Sequence, residues 1–181
     1  MAQIETPRLL LRTWRTSDRE PFAHLNADPE VMRYFTAPLS REESDALVDR
    51  IESGFAERGW GMWAAELRET GEFIGFVGLN VPRFEAHFTP CVEIGWRLAA
   101  AHWNRGLATE GARAALRHGF DTIGLGEIVS FAVVANLPSR RVMEKIGMTH
   151  DDADDFDHPG LPGHALQRHV LYRIRSVSSR P

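Results

Sequence analysis

Residues 91–120, CVEIGWRLAAAHWNRGLATEGARAALRHGF, constrain the fold more than any other stretch. The first part, 91–99, has the composition of a strand. From Ala108 onward, Ala112, Ala115, Leu116, Gly119, Phe120 and Ile123 recur at three- and four-residue spacing, as one face of a helix must. That face is small over most of its length, so the helix can lie close against a sheet. Between strand and helix runs a short loop, Asn104 to Thr109. Its free backbone N–H groups and the helix dipole favour an anion. Gly106 lets backbone approach a ligand closely, Arg105 can add charge, and Thr109 can cap the helix or bond a phosphate oxygen. An ordinary strand-to-helix turn has the same features.

Gly106 and Gly111 are separated by four residues, as in a Walker loop, but Ala112 and Arg113 occupy the places of its lysine and hydroxyl. The dinucleotide fingerprint G-x-G-x-x-G is absent. Close packing in the first turn of the helix accounts for Gly111.

The rest of the chain supplies the partners of this unit. Residues 8–14 read as a first strand. Ser17 and Glu20 form a capping box, with Pro21 in the first turn of a helix reaching about Asn26. Asp28-Pro29-Glu30 predicts a second, short helix. Ser40 and Glu43 form another box ahead of an amphipathic helix over 41–58, with Leu47, Ile51, Phe55 and Arg58 on one face. Strands follow at 61–67, 72–80 and 91–99, the first two joined by a turn at Thr70-Gly71. A proline-bounded loop covers 82–90. After the central helix come a buried strand at 127–134, a helix at 138–146 stopped by Gly147, an acidic loop at 151–163 and a last strand at 164–174. The expected fold is α+β: a mixed, mostly antiparallel sheet flanked by helices. No repeat or Gly/Ser-rich linker divides the chain, so 1–181 reads as a single domain.

Composition narrows the function classes. With 21 basic and 25 acidic side chains the net charge is −4, which gives no overall basic surface for nucleic acid. The single cysteine, Cys91, allows no internal disulfide and suits a reducing compartment; beside Pro90 it reads as a strand-edge residue rather than a nucleophile. The run MAQIETPRLLLRTW is too short and too charged in its apolar part for a signal peptide or membrane span, so the expected location is cytoplasmic.

Six blocks in order resemble the GNAT superfamily of acetyl-CoA-dependent N-acetyltransferases, and more closely its RimJ/RimL-like branch. They are ETPRLLLR (5–12), DPEVMRYF (28–35), GEFIGFVGL (71–79), VEIGWRL (92–98), NRGLATEGARA (104–114) and NLPSRRVMEKIGM (136–148). The resemblance implies an acyl-CoA N-acyltransferase fold with splayed central strands, and acetyl-CoA as co-substrate. In the superfamily a loop of the form Gln/Arg-x-x-Gly-x-Gly/Ala holds the pyrophosphate of coenzyme A. It matches Trp103, Asn104, Arg105, Gly106, Leu107 and Ala108, with Asn104 where many members have a second glycine. Thr109 completes the set.

The resemblance also implies roles. The strand matching EIGWRL splays at a bulge, which Gly95 suits, and the backbone of Trp96, Arg97 and Leu98 pairs with pantetheine and polarises the thioester carbonyl. Glu93, two residues before Gly95, is the candidate base; a carboxylate in a half-buried apolar site can have a raised pKa. A solvent-facing residue of an alternating strand is the alternative. Asn136 bonds pantetheine and Ser139 lies near the sulfur, unless both merely cap a helix around Pro138. Many members carry a tyrosine acid where this chain has Met143, which leaves Ser139 as the candidate to protonate the thiolate. Arg140 and Arg141 reach the adenosine phosphate or are solvated.

The acceptor is expected to be an amine, on a protein N-terminus or a small molecule, bordered by Tyr34, Phe35, Trp60, Trp63, Phe84 and Trp96, some of them core. No zinc or calcium spacing is present, and no metal is expected; the acidic loop is solvated or recognises a basic substrate. Homodimerisation is common for this fold. The competing class is an acyl-CoA-binding regulatory module without turnover.

Overall fold

A computed structural model describes residues 3–176. Nine strands form one sheet among them: β1 (Ile4–Glu5), β2 (Leu9–Arg12), β3 (Met62–Leu67), β4 (Phe73–Asn80), β5 (Glu93–Leu98), β6 (Glu127–Val133), β7 (Thr149–His150), β8 (Phe156–Asp157) and β9 (Arg168–Arg175). Their order is β1-β2-β3-β4-β5-β6-β9-β7, with β8 also on β9. Every pairing is antiparallel except β5 with β6. Helices α1 (Arg19–Ala27), α2 (Arg41–Arg58), α3 (Leu107–Arg117) and α4 (Leu137–Lys145) complete the expected α+β fold.

Local chemistry accounts for most boundaries. The Ser40 box forms as read: its hydroxyl accepts from Glu43 N–H at 3.1 Å, and Glu43 accepts from Ser40 N–H at 2.8 Å. The stop after α4 is a Schellman motif, in which Gly147 N–H donates to Glu144 and Met148 N–H to Met143. Helix α3 buries Gly111, Ala112 and Ala115. A methyl on Gly111 would come within 3.2 Å of Val77 on β4. The small face therefore sets how near the helix approaches the sheet. Beyond Arg117 the helix widens into a π-turn over His118–Ile123.

Several expectations fail. The box at Ser17 does not form; the Asp18 carboxylate accepts Arg15 N–H at 2.8 Å instead, and α1 starts at Arg19. Asp28 accepts Glu30 N–H at 2.8 Å, as a cap would, but only turns follow. Val31 and Met32 are both buried in these turns. The last strand starts at Arg168, not His164. No bulge occurs at Gly95, because the β4–β5 register runs unbroken from Gly75–Leu98 to Asn80–Glu93; the register shift lies between β3 and β4, at Ala65/Glu66.

The N-terminal half of the sheet carries a closed ionic cluster. Arg12 bonds Asp18 at 2.7 and 2.9 Å and Glu66 at 2.7 Å, with its side chain 3% exposed. Arg15 adds a second cation on Glu66 at 2.7 Å. Each buried charge has its counter-ion, as burial demands.

Candidate active site

The β5–β6 junction is different. The two strands pair at one position, Glu93 with Val129, supported by Val129 N–H to Val92 and by Ser130 Oγ to the Ile94 carbonyl, each at 2.9 Å. Beyond it they separate, and two connected hollows open. A cavity of about 420 Å³ lies between Glu93–Arg97 and Ser130–Val133. A groove of about 370 Å³ continues from Trp96 and Leu98 to the start of α3.

The groove gathers most of the residues expected to hold a cofactor. Trp96, Arg97, Leu98, Asn104, Gly106, Leu107, Ala108, Thr109, Asn136 and Ser139 all line it. Gly106 is the N-cap of α3 at φ +75°, and Asn104 has φ +58°; both occupy the left-handed region. Asparagine is among the few side chains that enter it readily, which explains why it substitutes for a glycine here. The α3 N-terminus has no side-chain cap, so Thr109 does not cap it. Glu110, one residue on, anchors the loop from outside, accepting from Thr6 Oγ1 at 2.7 Å and from Arg8 Nε at 2.6 Å.

Arg105 departs from expectation. Its guanidinium bonds His102 Nδ1 at 3.1 Å, and its carbonyl accepts from Arg8 at 2.8 Å, so it braces the loop and does not line the groove. The cations that do line it are Arg33, Arg141 and Lys145, with Arg97 at its junction with the cavity. Arg140 instead bonds the Val134 carbonyl at 3.2 Å. Arg33 and Lys145 were not legible in sequence, because neither belongs to the loop they face across the groove. Asn136 caps α4, accepting Ser139 N–H at 3.2 Å, and both residues also face the two hollows, so capping and ligand contact are compatible. Met143 is buried in the cavity wall.

The pleat of β5 sends Glu93, Gly95 and Arg97 to one face and Ile94, Trp96 and Leu98 to the other. Glu93 lines the cavity, and its one polar partner is Asn80 Nδ2 at 3.5 Å. Burial pushes its carboxyl up to about 7, slightly offset by that bond. Arg97 is pushed down to about 10 by burial and stays charged at neutral pH. Its Nη1 donates to Asn26 Oδ1 at 2.6 Å, and its guanidinium lies 4.3 Å from the Phe35 ring centre.

Of the six expected acceptor walls, Tyr34, Phe35 and Trp96 line the cavity. Trp63 is fully buried core, Trp60 stacks beside Arg58, and Phe84 packs in a satellite cluster with Phe88, Phe131 and Phe156. Phe76, Phe131, His158 and His169 line it unforeseen. Burial lowers the pKa of both histidines. The acidic loop is bound to the sheet: Asp154 pairs with Arg173 at 2.6 Å, and Asp155 with His150 at 2.7 Å. Cys91 is half-buried and its thiol is pushed up to about 11 by burial, the state of an inert thiol rather than a nucleophile. No helix among the described residues is long and apolar enough to cross a membrane.

Known proteins share this arrangement. Residues 8–149 match the acetyltransferase (GNAT) domain. The FsC-acetyl coenzyme A-N(2)-transacetylase of Aspergillus fumigatus is 32% identical over 165 residues, 86% of this chain and 69% of that protein. A GNAT-family acetyltransferase of Bacillus anthracis superposes with a TM-score of 0.79 at 28% identity, covering 96% of this chain and 98% of its own. RimL, a ribosomal L7/L12 α-N-protein acetyltransferase solved with coenzyme A, shares the fold with a TM-score of 0.76, covering 96% and 98%, at 16% identity. The matched domain spans β2 to the start of β7 and contains the groove from end to end, so this chain belongs to the GNAT acetyltransferase family and is an N-acetyltransferase.

Proposed function

We propose that the chain transfers the acetyl group of acetyl-CoA to an amine by direct attack in a ternary complex. The observation that carries this reading is the single-pair junction of β5 and β6, which opens one continuous hollow from the α3 N-terminus to Glu93. The pyrophosphate of CoA lies on the N–H groups of the 104–109 loop, favoured by the helix dipole. Arg33, Arg141 and Lys145 supply the countercharge along the groove. Pantetheine runs along the edge of Trp96, Arg97 and Leu98 that faces away from β4, as an added strand, with Asn136 across from it; the Leu98 carbonyl already accepts from Trp103 Nε1 at 2.8 Å.

The acceptor nitrogen attacks the thioester carbonyl carbon while a β5 N–H stabilises the developing oxyanion. The C–N bond forms and the C–S bond breaks. Glu93 takes the proton that the nitrogen sheds, directly or through one water; a base titrating near 7 is matched to neutral pH. Ser139, facing both hollows, donates a hydrogen bond to the departing thiolate, which takes its proton through water as Glu93 releases its own.

Incubation with acetyl-CoA and a panel of amines, following free thiol, tests the reading. Amine-dependent thiol release is expected, with large loss in Glu93→Gln. Tight CoA binding without thiol release from any amine would overturn it in favour of a regulatory acyl-CoA-binding module.

A further inference from the structure

The acceptor cavity holds a half-buried cation that the protein does not neutralise. Among the described residues Arg97 has no carboxylate within ion-pair distance. Its side-chain partners are the neutral amide of Asn26 and the faces of Phe35 and Phe76, at 4.3 and 5.6 Å. Its Nε is buried with no acceptor at all. Arg12 and Arg173 each bond two carboxylates; Arg58 shares the orphaned Nε but keeps Glu57 at 3.1 Å, and half-buried Arg140, which has no carboxylate, bonds the Val134 carbonyl and lies outside the cavity. A largely desolvated guanidinium left without an anion is costly to keep, and part of that cost is recovered when a ligand brings the anion.

The site around it is built rather than incidental. Asn26, fully buried, donates from Nδ2 to Ser44 Oγ at 2.9 Å while its Oδ1 accepts from Arg97. A polar chain from α2 through α1 thus fixes one guanidinium nitrogen. Phe35, 44% exposed, covers the ring-facing side and leaves the cavity open to ligand. Arg97 and Glu93 project from the same face of β5, four residues apart, which places their Cα atoms roughly 13 Å from each other. They form no ion pair with one another. They are also the only acidic or arginine and lysine side chains lining this cavity.

We propose that Arg97 is the anion-recognition residue of the acceptor site. The amine that this enzyme acetylates carries a carboxylate a few bonds away, which Arg97 holds while the amine lies toward Glu93. The inference rests on the acetyl-transfer reading above and adds the substrate class to it. It disfavours polyamines and aminoglycosides, whose second positive charge would face the guanidinium. A free amino acid and a peptide with an acidic residue near its N-terminus present the same chemistry.

The test uses the wild-type protein, acetyl-CoA and matched acceptors that differ only in the acid. Free amino acids are paired with their amides, ω-amino acids of increasing length with theirs, and Ala-Glu with Ala-Gln; spermidine is included. Initial rates of thiol release give kcat and KM for each. The expected result is a kcat/KM for the acid about 30-fold or more above its amide, carried mainly by KM. In Arg97→Gln the acid-over-amide ratio falls toward one, and in Arg97→Lys part of it returns. A purely structural role for Arg97 would lower both rates and leave the ratio unchanged. Preference confined to the dipeptide pair assigns the anion to a polypeptide side chain; preference among free amino acids assigns it to a small metabolite. Amides accepted as well as acids, or spermidine as the best acceptor, overturn the proposal and leave acetyl transfer standing. No thiol from any amine overturns acetyl transfer and this proposal with it.

Discussion

Two places in this sheet bury an arginine, and they treat it oppositely. Between β2 and β3, Arg12 sits with Asp18 and Glu66 at 2.7–2.9 Å, and the cluster is electrically complete. Beside the β5–β6 cleft, Arg97 meets an amide and two rings, while Glu93 meets only Asn80. The same residue types serve structure where their charges are matched inside the chain. They serve recognition where matching is left to whatever enters. A buried unmatched pair on one strand face is a better marker of the site than the residue types themselves.

Breaking the matched side gives the largest effect. Arg12→Met leaves Asp18 and Glu66 buried without their shared cation and is expected to cost about 3–5 kcal/mol in urea unfolding. The acid-over-amide preference of the molecules that remain folded should not move.

Glu93→Gln tests the unmatched side and should lower kcat about 100-fold or more with CoA affinity retained. In the wild type, kcat/KM should rise with pH through about 7, and the variant should lose that limb. Stability should run the other way. The carboxyl titrates at 4.5 ordinarily and at about 7 when folded, so between those values the folded chain holds the extra proton. Its contribution is fully present below 4.5 and is lost as pH rises through 7. Thermal melts across that window should show a decline that Glu93→Gln removes.

Asn26→Asp would turn the open arginine into a closed one, since Oδ1 already lies 2.6 Å from Arg97 Nη1. KM for an anionic acceptor should rise about tenfold, equivalent to ~1.4 kcal/mol, without a lower melting temperature. The smallest effect belongs to the loop. At Gly106, φ +75°, there is room for a methyl group, the nearest atom lying 3.6 Å away. Gly106→Ala therefore meets only the left-handed backbone penalty, about 1 kcal/mol, read as about fivefold weaker CoA binding in calorimetry.

What could be read from the sequence follows the range of the interactions. The Ser40 box, the Gly147 stop and the 104–109 loop depend on residues within a few positions of each other, and all three formed. The cap signal at Asp28 was equally local and formed too, yet only turns follow it, with Val31 and Met32 both buried. Glu93 could be placed on the site by its strand and its type. The significance of Arg97 could not, because it lies in the absence of a carboxylate from α1, α2 and β4. Trp60, Trp63 and Phe84 are the half of the six aromatic candidates that pack in the core, and sequence could not say which half for a related reason: an aromatic residue announces burial, not which hollow it faces.

The single β5–β6 pair also has a mechanical consequence. It makes the nine-stranded sheet two smaller sheets sharing one stitch, with a seam of unshared backbone groups through the middle. A ligand strand laid into that seam closes it and joins the halves into one cooperative block. Cofactor binding and folding are then coupled quantities: at a hundredfold excess over Kd, CoA should add about 2.7 kcal/mol to unfolding. The protection from amide exchange should concentrate on β5 and β6, which share only one pair.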